Sequence, residues 1–126
     1  MNDQVVDNAL IPQPLVVSSL RDLDALVAQH IFGNEVKSAE WGHYRVTEDG
    51  GAFIPWYTTE MGAAWAIAEK FQLSVNPVRH ASPSRWLVFK EPQKKLTFVG
   101  EDSAPLAICL SGMKCMGIEI KLYLPL

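Results

Sequence analysis

The residues able to carry chemistry are few and scattered. His30, His43 and His80 fall in separate segments, without the HxxxH or HExxH spacing that sets two imidazoles on one helical face. Two cysteines with no CxxC arrangement add nothing to a zinc reading. Cys109 and Cys115 lie six apart on an expected helix. That spacing means about 9 Å of rise and about 240° of rotation, which carries their Cα atoms beyond disulfide reach. Both are expected to be reduced and structural. Glu40 and His43 would make an acid–base pair, but no nucleophile accompanies them. The chain has no Walker loop, no GxGxxG after a strand and no GxSxG elbow. It therefore reads as a non-enzyme with no cofactor and no metal.

Charge says more. The net charge of −3 hides an asymmetry: residues 1–69 hold three bases, Arg21, Lys37 and Arg45, against ten acids. Residues 70–95 hold Lys70, Arg79, Arg85, Lys90, Lys94 and Lys95 against Glu91 alone. A solvated hairpin face is the ordinary reading of such a run. The functional reading is attraction of an anionic partner, because a local positive field raises encounter rates. Trp56, Tyr57 and Trp86 border the basic stretch in sequence, and aromatic faces stack on bases while Arg and Lys hold phosphate. The candidate ligand-binding set is therefore Trp56, Tyr57, Arg79, Arg85, Trp86, Lys90, Lys94 and Lys95. The bland alternative for Trp56 and Tyr57 is a hydrophobic staple onto the helix that follows.

Three helices and a set of strands must position these groups. Residues 1–17, with Pro12 and Pro14 and no helical period, read as an extended or flexible arm, and 18–126 as a single domain. The first helix, "SLRDLDALVAQHIFG", is capped by Ser18 or Ser19 and stopped by Gly33. A hairpin over Trp41–Ile54 turns at "TEDGG". The second helix is entered through Thr58 or Thr59, and Met61, Ala64, Trp65, Ala68 and Phe71 recur at helical spacing, which places Trp65 in the core. Strands "QLSVNPV", "SRWLVFK" and "KLTFVG" follow, apolar on both faces and so expected to need cover on both. A third helix, "SAPLAICLSGMKCMG", buries Leu106, Cys109, Leu110 and Met113, and "IEIKLYL" closes the chain as a strand. Gly112 costs that helix about 1 kcal/mol against alanine, which points to close approach by a neighbour. The expected fold is α+β: a three-layer α/β/α sandwich with a mainly antiparallel sheet.

"PWYTTEMGAAWAIAEKF", then a hairpin, then "SAPLAICLSGMKCMGIEI" resembles the phage ABA sandwich domain family. That family has a proline–aromatic–Ser/Thr entry, an Ala-Ala-Trp helix and a late "APLAIC" helix ending in glycine. Leu26-Val27-Ala28 resembles its first-helix core. The match runs from about Asp22 to Ile120. Where the family has a tryptophan after the first helix's glycine, Asn34 stands here and Trp41 comes later. The resemblance implies a phage or prophage origin and the sandwich fold, and brings no established reaction.

The order helix, three strands, helix also has the outline of a double-stranded-RNA-binding domain. The acidic-to-apolar "EDSAPLAICL" opening the last helix lacks the bases that would hold duplex phosphates. The expected function is a phage accessory binding module that sequesters an anionic, nucleotide-type ligand, as a counter-defence sponge would. The alternative is an interaction module acting on a host protein, or a structural accessory protein. The apolar ending "LYLPL" favours a homodimer or higher homo-oligomer. No run approaches the roughly 20 apolar residues of a membrane span, and the acidic N-terminus does not read as a secretory signal, so host cytoplasm is the expected location.

Overall fold

The computed structural model describes residues 14–78, 85–100 and 103–124. Helix α1 (Leu20–His30) begins where the Ser19 hydroxyl accepts the Asp22 N–H at 3.1 Å, and Gly33 turns the chain after it at φ +70°. Helix α2 (Met61–Phe71) starts after Glu60, which makes no side-chain cap bond. Neither threonine expected as its cap performs that role. It ends at Gln72, whose left-handed φ of 55° lets its N–H reach the Ala68 and Glu69 carbonyls. Helix α3 (Ala104–Cys115) is capped by Ser103, with Pro105 in the first turn.

The buried stripe of α2 is Ala64, Ile67 and Ala68. Trp65, expected in the core, is 49% exposed. Positions 64, 67, 68 and 71 already make one complete helical face, and position 65 sits beside it. Helix α3 buries more than its expected stripe: Ala107, Ile108, Ser111 and Gly112 are inside as well, while Leu110 is only half-buried. It touches both other helices and four strands, and a helix surrounded on most sides keeps little polar face.

Strands β2 (Val36–Ala39), β3 (Gly42–Thr47) and β4 (Gly50–Ala52) form one antiparallel meander, and β5 (Leu73–Pro77), β6 (Trp86–Lys90) and β7 (Lys95–Gly100) form another. β1 (Leu15–Val17) pairs in parallel with β8 (Ile120–Leu122). The fold is thus an α+β sandwich of three helices and mainly antiparallel strands, as expected. Its strands hydrogen-bond in three groups rather than in one layer. Leu15–Val17, expected at the end of a loose arm, belong to the domain: Val17 is buried, and its carbonyl accepts the Tyr123 N–H at 2.9 Å. That pairing occupies one edge of the C-terminal strand.

Helices α2 and α3 pack on each other, α3 lies across β5–β7, and α1 lies against β2 and β3. Val75, Val88 and Phe98 are register partners on the helix side of β5–β7. The alternate face carries Ser74, Leu87, Phe89 and Leu96; the first three are half-buried and Leu96 is exposed.

Candidate functional site

Lys90 ends β6, Lys95 begins β7, and the tight connection between them makes the two residues direct cross-strand partners. Like charges set opposite one another on a sheet are unfavourable, so this pairing asks for a counter-charge. The last turn of α3 lies over the same strand end and adds Lys114. With Gln93, Thr97 and Cys115 these lysines line a cavity of about 330 Å³.

Local structure satisfies part of the charge. The Lys90 ammonium donates to the Phe71 carbonyl at 2.8 Å, at the negative end of α2. Glu91 turns away and accepts the Ser74 hydroxyl at 2.8 Å. Among the described residues no carboxylate comes within ion-pair distance of Lys90, Lys95 or Lys114. Thr97 is anchored beneath them, donating to the Val88 carbonyl at 3.0 Å and sharing a 3.1 Å hydrogen bond with Ser111. Burial pushes the Cys115 thiol above its ordinary range, while Lys90, Lys95 and Lys114 all pull it down. Three lysines from two strands and a helix thus line one space at the small end of ligand pockets.

Of the residues expected from sequence, the fold brings Lys90 and Lys95 together. Lys94 is exposed in the turn beside them, with φ 54°. Arg85 precedes β6, where its carbonyl accepts the Val78 N–H at 2.9 Å. Arg79 lies outside the described residues. The aromatics do not join the lysines. Tyr57 is buried and stacked on Phe32 at 5.3 Å. Trp86 lines a broad apolar groove of about 770 Å³ with Met61 and Trp65. Trp56 lies under the Arg21 guanidinium, 3.9 Å from it. Lys114 was missed because a lysine in a last helical turn reads as a dipole partner; only the packing of α3 over β7 gives it a second role.

The phage ABA sandwich domain model matches residues 25–112. This chain belongs to the phage ABA sandwich domain family. A crystal structure of a phage protein from Bacillus cereus ATCC 14579 is similar, at 28% identity and a TM-score of 0.64, covering 83% of this chain and 94% of the other. No curated protein gives a match. Among the described residues no helix is long and apolar enough to cross a membrane, and no group of three His, Cys, Asp or Glu side chains is placed to hold a metal.

The family's proline–aromatic–Ser/Thr entry is held here by α1. Arg21 donates to the Ile54 and Pro55 carbonyls at 2.9 and 3.2 Å and to Asp24 at 2.7 Å. Asp24, fully buried, accepts the Thr58 N–H at 2.8 Å. In this ABA sandwich Tyr57 is thereby buried in the framework, while Trp56 stays half-exposed beneath Arg21.

His43 does not pair with Glu40. Its Nε2 lies 2.7 Å from Asp22 Oδ1 and its Nδ1 2.7 Å from Ser38 Oγ. Carboxylate, imidazole and hydroxyl stand in the order of a serine-hydrolase triad, with the two ring nitrogens exchanged. Ser38 is on the edge strand β2 and lines none of the cavities described, so the trio serves as a clamp from the first meander to α1. The hydrogen bond from His43 holds the Asp22 carboxyl below its ordinary 3.8. A depressed folded value means that stability from this pair is present above the unfolded pKa and lost as pH falls through the folded one. Carboxyl-carbon NMR titration is expected to show a low midpoint for Asp22 that returns to the ordinary range in His43→Ala. A midpoint unchanged by the substitution would remove the clamp.

Proposed function

We propose that this chain is a non-catalytic phage accessory protein of the host cytoplasm that binds and sequesters a small phosphate-bearing ligand, nucleotide-type among the candidates. The observation that supports this is the convergence of Lys90, Lys95 and Lys114 on one cavity, without a carboxylate partner among the described residues. The phosphates of the ligand are held by the ammonium groups. Among the described residues no aromatic side chain lines the cavity, so a nucleoside moiety extends away from it.

Calorimetry against pyrophosphate, linear and cyclic nucleotides, and adenosine tests the reading. Phosphorylated ligands are expected to bind in the micromolar range and to weaken as salt is raised, with no heat from adenosine. Lys114→Ala is expected to lower affinity about tenfold, the loss of one charge-assisted hydrogen bond of about 1.5 kcal/mol. Charge reversal by Lys95→Glu is expected to abolish binding. Silence from every phosphorylated ligand at millimolar concentration would end the proposal. Tyr123 and Leu124 are exposed at the end of β8, which supports a homodimer as the sequestering unit; light scattering reads its mass.

A further inference from the structure

The first meander turns one face to α1 and the other to solvent, and the second face is unusual. His43 and Arg45 alternate toward α1, where His43 meets Asp22. Tyr44 and Val46 therefore point outward, with Gly51 as the register partner of Val46 on β4. Trp41 and Phe53 complete this outer surface, 65% and 78% exposed. Trp41 is tilted against Tyr44 at 5.6 Å and edge-on to Phe53 at 6.2 Å. The three rings wall a groove of about 430 Å³ whose floor is Gly50, Gly51 and Ala52. Gly51 lets the Tyr44 ring lie close over β4, where a Cβ would stand 3.0 Å from it.

Three further observations say what fits. Acidic residues stand at both ends of the groove: Glu40 immediately before Trp41, and Glu48 and Asp49 immediately before Gly50, all exposed. None has an ion-pair partner among the described residues. The cations of this meander are already engaged, Lys37 with Glu35 at 3.9 Å and Arg45 with the Phe53 carbonyl at 2.9 Å. Lastly, among the described residues β4 pairs only with β3, which leaves its outer edge without a strand partner there. Open aromatic faces with flanking carboxylates suit a planar guanidinium, which stacks and donates at once. Arg21 over Trp56 shows the same contact within this fold.

We infer that the free edge of β4 and the Trp41–Tyr44–Phe53 groove together dock an extended, arginine-bearing segment of a partner protein. The segment adds a strand at Gly50–Ala52 and lays an arginine side chain across the rings, between Glu40 and Asp49. Backbone pairing supplies affinity and the groove supplies selectivity.

Fluorescence polarisation with a labelled Thr-Arg-Val-Arg-Thr peptide tests this. Binding is expected to weaken about tenfold in Trp41→Ala, as for an aromatic hot spot at an interface, and to weaken also in the double variant Glu40→Gln, Asp49→Asn. Backbone N-methylation of the peptide, which blocks strand addition, is expected to abolish it. Trp41 is exposed, so the variant keeps its fold, and an unchanged melting curve checks that. Lys114→Ala leaves peptide binding untouched, which separates this surface from the anion cavity: either can fail alone. Four results would each overturn the inference: no binding at millimolar peptide, equal binding to Trp41→Ala, equal binding of a glutamate-for-arginine peptide, or free argininamide binding as tightly as the peptide.

Discussion

Asp24→Ala is expected to destabilise the protein by about 3 kcal/mol, because it leaves a buried N–H without a partner and breaks a buried ion pair. The carboxylate is fully buried and joins three things: its own helix, the Arg21 guanidinium at 2.7 Å and the Thr58 N–H at 2.8 Å. Without it the chain entering α2 loses its tie to α1. Asp24→Asn keeps an acceptor for Thr58 and gives up only a charge that burial already disfavours, so its cost is expected to be well below that of Asp24→Ala. Urea denaturation of the two variants separates the roles: equal losses would mean that the ion pair with Arg21, rather than the Thr58 bond, carries the energy.

Asp24 also has the opposite pH signature from its neighbour two residues back. Burial, opposed by the Thr58 N–H and Arg21, raises its pKa above 3.8. A raised value favours the protonated form in the folded state, so this contribution is largest below the unfolded pKa and fades as pH rises through the folded one. Asp22, held low by His43, acts in reverse.

Gly112→Val is expected to cost a further large amount, about 3 kcal/mol, from overpacking. A Cβ at position 112 would lie 2.5 Å from Ile67 Cγ2 and 3.0 Å from Ile31 Cδ1, where α1, α2 and α3 meet. The Ile31 methyl ends a flexible side chain and can move. The Ile67 methyl is fixed by its branch point on α2 and moves only with the helix. Gly112→Ala is a sharper test, since alanine gains about 1 kcal/mol in helix propensity. A net loss despite that gain shows that the close approach dominates, whereas a stabilised alanine variant would contradict the packing.

The elements that sequence revealed are those whose signals are local. Ser19 and Ser103 cap helices because their hydroxyls reach backbone three residues on. The strands β5, β6 and β7 fall within the three segments their composition marked. Gly112 was legible as a contact point because a glycine inside a helix is costly without one. What stayed hidden depends on partners distant in the chain. Thr58 looked like a cap, but its N–H belongs to Asp24, 34 positions earlier. Strand β2, four residues with a single apolar branched side chain, carried no alternation to find. The basic cavity was half legible: Lys90 and Lys95 stood out as a charge run, while Lys114 came from another element. Tyr57 read as a pocket wall because a staple and a wall have the same local sequence.

The central claim is that three lysines from two strands and a helix act as one anion site. Lysine-selective NMR during titration with pyrophosphate measures it directly. The account predicts that the Nζ signals of Lys90, Lys95 and Lys114 move together on one saturating curve, while Lys70 and Lys121 stay in place. Signals that do not move, or small shifts spread evenly over all the lysines, would contradict it.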